Sequence, residues 1–151
     1  MPQQRSRSAK KTSLSRKPGV LLWFRIARIY TRNLRAASDH LRPYGLSAAQ
    51  FDILAHVGSS TALTQQDLAR RMLVTEGNIT QLLDKMQTRG LLARRREGRV
   101  NHLMLTAAGH TLYEQVRPEQ ERLQSRQFGP LSVAEQRQLL ALLRKLERAG
   151  R

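Results

Sequence analysis

The chain contains no cysteine, which excludes disulfide bonds, a thiol nucleophile and a thiol redox switch. Acidic residues are scarce: eleven Asp and Glu stand against twenty-seven Lys and Arg in 151 residues, a formal net charge of +16. A field of that sign and size recruits polyanions, so nucleic acid or an anionic membrane comes first among partners. Aromatic residues make up only 5%, which disfavours a protein that reads single strands by stacking on their bases. No apolar run exceeds five residues, the length of Val20 to Phe24, whereas a membrane span needs about 20. The basic, Ser-rich N-terminus has neither the apolar stretch nor the small-residue cleavage site of a signal peptide, and the expectation is a cytoplasmic protein. Catalytic patterns are also missing. There is no His-Glu-x-x-His, no phosphate-cradling Gly loop and no carboxylate cluster at metal-ligand spacing, and the four histidines are scattered. Neither an enzyme, a metal site nor a cofactor is expected.

What is present fits one domain, because a chain of this length can bury most of its apolar surface in a single core. Residues 1–18 carry Arg5, Arg7, Lys10, Lys11, Arg16 and Lys17, no acid and almost nothing apolar. They read as a disordered basic arm, either a solvated tail or an arm that grips DNA. Removing those six charges still leaves +10 on the remainder, residues 19–151.

Along that remainder, Leu22, Ile26, Tyr30, Leu34, Ala37 and Leu41 recur at helical spacing and predict one long amphipathic helix from Val20 to Leu41, ended by Pro43 and Gly45. Ser47 with Gln50 forms a capping-box pattern before a second helix that turns Phe51, Leu54 and Val57 inward. Thr64 caps a short helix carrying Leu68, Ala69 and Met72, a turn follows at Leu73 and Val74, and Thr75 caps a fourth helix. In that fourth helix Ile79, Leu82, Leu83 and Met86 face inward until Gly90 stops it. Leu91 to Arg95 and Val100 to Leu105 predict a hairpin around Glu97 and Gly98. Thr106 caps a long helix with Pro118 expected to bend it, and a capping box at Ser132 and Glu135 opens a last helix through Leu139, Leu143 and Leu146. The order is helix, turn, helix, wing: a mainly α fold with a small β-hairpin, a winged helix-turn-helix over about residues 47–106 flanked by helical dimerisation segments at about 20–42 and 107–148.

In a helix-turn-helix the second helix enters the major groove, where base edges display distinct donors and acceptors. Off the apolar stripe of that helix stand Thr75, Glu76, Asn78, Thr80, Gln81, Lys85 and Thr88, groups suited to bases and phosphates. The hairpin packs Arg94, Arg95, Arg96 and Arg99 into six positions, and a flexible arginine loop can enter the negative minor groove. Arg94 and Arg95 can equally pair with carboxylates on neighbouring helices, so Arg96 and Arg99 are the better DNA candidates.

The segments Gly45-Leu-Ser-Ala-Ala-Gln-Phe-Asp-Ile-Leu, Leu63-Thr-Gln-Gln-Asp-Leu-Ala, Val74-Thr-Glu-Gly-Asn-Ile-Thr-Gln-Leu-Leu-Asp-Lys-Met, Arg89-Gly-Leu and Leu105-Thr-Ala-Ala-Gly, in that order and spacing, resemble the MarR family from Val20 to Glu147. The resemblance implies a triangular homodimer in which the first and last two helices of both chains interlock. It implies two winged lobes that face successive grooves of a pseudo-palindromic double-stranded DNA operator. It also implies a transcription regulator, often a repressor, released when a small phenolic or anionic effector binds between the dimerisation helices and the DNA-binding lobe. Two departures bear on DNA reading. The wing, a few residues shorter than in many members, has Glu97, Gly98 and Arg99 where an acid, any residue and Arg are usual, and Gln81 stands where many members have Arg. Arg99 takes the wing-arginine role, and Gln81 changes the preferred base, since Gln prefers adenine and Arg guanine.

For an effector, Trp23, Arg28, His40, Tyr44 and His56 could supply aromatic and polar groups near the junction of the first two helices. Helix packing accounts for Trp23 and Tyr44 equally well, and a structural role outweighs a ligand role for His40 and His56. The competing reading of the whole chain is a sequence-independent basic nucleic-acid-binding or architectural protein, because charge alone predicts affinity without specificity.

Overall fold

The computed structural model describes residues 17–150. The expected basic arm therefore lies outside the described residues except for its last two, and Pro18 already opens the first helix, α1 (Pro18–Leu41). Proline is suited to that first position, because the N–H it lacks would have no helical partner there. The chain divides into two units, one reaching to Arg32 and one starting at Asn33. Within the first, Leu22, Trp23, Ile26 and Tyr30 of α1 remain exposed, Trp23 by 70%. The apolar stripe expected along α1, a helix expected to serve dimerisation, is fully buried in the single chain only at its last member, Leu41.

In the second unit α1 tightens into a 3-10 turn, Arg42–Tyr44, closed by Gly45 at φ 63°, a left-handed geometry that glycine adopts without a Cβ clash. At Ser47 both halves of the capping box form: Ser47 Oγ accepts from the Gln50 amide at 3.2 Å, and Gln50 Oε1 accepts from the Ser47 amide at 2.9 Å. The helix they open, α2 (Ala48–Gly58), buries Ile53 as well as Phe51, Leu54 and Val57, so it is covered on more than the one expected face. Then come β1 (Leu63–Thr64), α3 (Gln65–Met72) and α4 (Glu76–Thr88). Thr64 and Thr75 cap α3 and α4 through their side-chain oxygens. Between those helices Leu73 takes φ 54° and is 92% exposed.

β2 (Leu92–Glu97) and β3 (Val100–Leu105) pair antiparallel, from Leu92 opposite Leu105 to Glu97 opposite Val100. The first strand runs two residues beyond the expected Arg95, which moves the hairpin tip to Gly98 and Arg99. Gly98 supplies the φ of 62° that a two-residue turn demands. β1 adds to the other edge of β3, giving the order β1-β3-β2. A two-residue strand is too short for alternation to reveal it, so this third strand was not expected. α5 (Ala107–Arg126) runs without a break through Pro118, and α6 (Val133–Ala149) starts at the Ser132–Glu135 capping box. No helix among the described residues is long and apolar enough to cross a membrane.

The core draws Leu41 from α1, Leu54 from α2, Leu68 from α3, Ile79, Leu83 and Met86 from α4, Leu92 and Leu103 from the sheet and Val116 from α5, all at most 3% exposed. Where β2 and α5 begin, the two chain segments are laced together. The Thr106 amide donates to Leu91 O at 3.2 Å, and its hydroxyl donates to Gly90 O. Gly109 sits so close beneath that a Cβ would lie 1.8 Å from Leu91 O. Backbone cannot yield as a flexible side chain can. Gly109→Ala is therefore expected to cost about 3 kcal/mol, at the upper end of overpacking effects, read as a lower urea midpoint at unchanged slope.

Candidate nucleic-acid interface

With Ile79, Leu83 and Met86 at 0% exposure, the rotational phase of α4 is set and its opposite ridge is open. Asn78, Gln81 and Lys85, spaced i, i+3 and i+7, share that ridge. All three are exposed, and their side chains carry no hydrogen bond or ion pair among the described residues. The other residues expected to meet DNA from this helix are already engaged. Thr75 Oγ1 accepts from the Asn78 amide at 3.3 Å, and Glu76 Oε1 accepts from Gln66 Nε2 at 3.4 Å. Thr80 departs most from expectation. It is half-buried, its hydroxyl donates to Glu76 O at 2.7 Å and accepts from Gln65 Nε2 at 2.7 Å. Its single O–H is spent inside the fold, so it holds α4 against α3 instead of facing a groove.

The four wing arginines separate by partner. Arg94, with its side chain only 19% exposed, donates to Asp84 Oδ1 at 2.6 Å, to Gln87 Oε1 at 3.3 Å and to Thr80 O at 3.3 Å. It spans three positions of α4 and ties the hairpin to that helix, which is the carboxylate pairing weighed against DNA contact. Arg95 also pairs with a carboxylate, but with Glu97 of its own strand and not of a neighbouring helix; Glu97 lies in turn 3.5 Å from His102 Nε2. Arg96 Nε donates to Gly98 O at 3.0 Å and tightens the tip. Arg99 is exposed and has no partner among the described residues. With Asn101, Glu76, Asp67 and Thr64 it lines an open polar cleft of about 420 Å³. The Thr64 hydroxyl, bonded to Asp67, holds that carboxyl below the usual carboxylate range, with Arg70 adding to the effect, so the cleft keeps a negative group at neutral pH.

Sequence reasoning missed several residues that position α4. Gln65, Asp84 and Gln87 are three; Arg89 is a fourth, its guanidinium donating to Gly45 O at 2.6 Å and Tyr44 O at 3.4 Å. Each acts across 7 to 45 residues of chain, and no local pattern marks such pairs. Of the effector candidates, the structure brings together His40 and Tyr44, edge to face with ring centroids 5.7 Å apart. His40 Nε2 is buried without a hydrogen-bond partner. His56 is half-buried on α2, one turn from Asp52, whose carboxyl is pushed up by desolvation and partly pulled back by the imidazole. Trp23 and Arg28 are exposed and make no hydrogen bond, ion pair or ring contact among the described residues. Among the described residues no cluster of three or more His, Asp or Glu could hold a metal ion.

Thr80→Val should separate holding from reading. Loss of the hydroxyl is expected to cost about 1 kcal/mol of stability by urea unfolding. Any loss of affinity for duplex DNA should be the same whichever base is changed, as measured on a panel of single-base substitutions.

Residues 44–100, from the end of the 3-10 turn to the start of β3, match the sequence model of the MarR family. An uncharacterized HTH-type transcriptional regulator of Bacillus cereus is 30% identical over 131 residues, covering 86% of this chain and 89% of its own. BpsR of Bordetella bronchiseptica, whose DNA binding is regulated by 6-hydroxynicotinic acid, is 25% identical with a TM-score of 0.77 over 84% of this chain and 98% of that one. A mutant MarR from E. coli, solved in complex with operator DNA, is 25% identical with a TM-score of 0.76 over 83% of this chain and 93% of that one. With the open ridge of α4 beside a wing that carries a free arginine, these likenesses make the chain a member of the MarR family: a DNA-binding transcription regulator and not an enzyme.

Proposed function

We propose that this regulator is a repressor that grips a pseudo-palindromic duplex operator as a homodimer and releases it when a small phenolic or anionic effector binds. The observation that carries the DNA part is the pairing of two free elements on one lobe. Asn78, Gln81 and Lys85 stand open on α4, Arg99 stands open at the wing tip, and Arg94 fastens the wing to the helix. The operator complex of the E. coli relative supports the same use of this fold.

Exposed apolar surface supports the homodimer. On α6, Leu140, Leu142, Leu143 and Leu146 are 36–62% exposed, and Phe128, Val133, Leu139 and Leu143 line a cleft of about 310 Å³. A two-fold partner would cover such a face with its own copy. His40 supports the effector: a buried ring nitrogen with no partner is a group that an incoming carboxylate or phenol could satisfy. The regulation of BpsR by an aromatic carboxylic acid fits that chemistry.

The test is enrichment of genomic fragments on the purified protein, followed by competition between the enriched operator and random duplex. A specificity ratio of roughly 10³ or more is expected, whereas an architectural protein would hold both alike. Leu143→Asp should turn the sedimenting dimer into a monomer and abolish operator binding. A Leu143→Asp protein that remains dimeric would remove α6 from the interface, and wild-type protein that sediments as a monomer with full operator affinity would end the dimer reading. Titrating 6-hydroxynicotinic acid into the wild-type complex should lower operator occupancy, and an unchanged occupancy across aromatic carboxylates and phenols would overturn the effector reading.

A further inference from the structure

We infer that the operator of this protein presents adenine, not guanine, to the recognition helix, with Asn78 and Gln81 reading neighbouring A·T pairs in each half-site. The inference rests on the DNA-binding reading above and concerns which bases that same surface accepts.

It follows from elimination among the groups that could reach a base edge. Guanine offers two acceptors, O6 and N7, and is read best by a bidentate guanidinium, whereas adenine offers one acceptor and one donor, N7 and N6, and matches a side-chain amide. α4 contains no arginine. The guanidinium that does lie against it, Arg94, is consumed by Asp84, Gln87 and Thr80. Arg89 at its C-terminal end is consumed by the carbonyls of Gly45 and Tyr44. Two carboxylates that could accept from cytosine are occupied as well, Glu76 by Gln66 and Asp84 by Arg94. The Gln87 amide is held by Arg94 and the Thr88 hydroxyl by the Asp84 carbonyl, which leaves two unbonded amides and one ammonium.

Position then divides these three. A recognition helix meets base edges with its N-terminal residues, and Asn78 and Gln81 lie in the first half of α4 (Glu76–Thr88). At about 1.5 Å of rise per residue they are about 4.5 Å apart along the axis, close to the roughly 3.4 Å step between base pairs. Neighbouring pairs are therefore within reach of the two amides together. Lys85 lies four residues further along, about 6 Å beyond Gln81, where the helix leaves the base edges and an ammonium meets phosphate.

Selection from a random duplex library tests this, with wild type, Gln81→Arg and Asn78→Arg carried in parallel and the motif of each read by sequencing. Wild type should enrich a palindrome with two adjacent A·T pairs in each half-site. Replacing either adenine by guanine should weaken binding by about 5- to 150-fold per half-site, the range of a lost bidentate contact. Gln81→Arg should move the preference at one of those positions to G·C, and Asn78→Arg at the other. Both side chains are exposed and unbonded, so thermal melts should match wild type and keep folding out of the comparison. An enriched motif with guanine at these positions, or arginine variants that leave the motif unchanged, would overturn the adenine assignment while leaving a specific regulator. Wild type that enriches no motif at all would overturn the operator-binding reading itself.

Discussion

Ile79, Leu83 and Met86 lie fully buried beneath α4, each contributing about 1.5–3 kcal/mol relative to exposure. That burial sets the rotation of the helix. Turning it by one residue would carry Thr80, Asp84 and Gln87 into their places, which would desolvate a carboxylate and an amide and expose three apolar side chains. The cost, several kcal/mol on both counts, leaves one rotational state. The proposed base reading follows from that state, because the exposed side chains of α4 that it leaves unbonded are Asn78, Gln81 and Lys85.

Lateral bonds hold the helix in place once its rotation is set. Gln65 grips the Thr80 hydroxyl from α3, and Arg94 spans Thr80, Asp84 and Gln87 from β2. A guanidinium that is largely covered would be costly if left alone, so Arg94 and Asp84 belong together, and the wing cannot shift without separating them. Arg94 is thus spent on architecture, Arg95 is held by Glu97 and Arg96 by the Gly98 carbonyl, and Arg99 at the tip is left free. In the proposed complex the two tasks of a DNA-binding lobe thereby fall to different chemistry: neutral amides would face the groove where patterns differ, and a full charge the place where they do not.

The division between what was legible in the sequence and what was not follows the distance over which each feature acts. Ser47, Thr64, Thr75, Thr106 and Ser132 all read as helix caps and all cap, because a cap reaches only three residues along the chain. The winged order was legible for the same reason, being a succession of local periods. The fate of Thr80 was not, since it depends on Gln65 fifteen residues away, and neither was the split among Arg94, Arg95 and Arg96, which share composition and differ only in what folds beside them. Periodicity also failed to say which molecule covers a stripe. It marked the apolar faces of α1 and α6, and on them Tyr30 and Leu146 are more than 60% exposed in the single chain, as helices expected to meet a second copy would be.

Those uncovered faces bear on recognition through arithmetic. One bidentate amide contact discriminates by about 1–3 kcal/mol, so two in a single half-site supply about 2–6, whereas specific sites exceed non-specific ones by about 4–10. A lone lobe falls short over most of that range. In the proposed dimer the same two amides act twice, for about 4–12 kcal/mol, and the gap closes without any new contact. The net charge of +16 supplies a hold on any duplex that does not depend on this doubling. An effector then has a modest task. In the proposed release it need only alter the spacing of the two lobes from the single helical turn that separates half-sites, so that one pair of amides loses its bases and the operator is held no better than any other duplex.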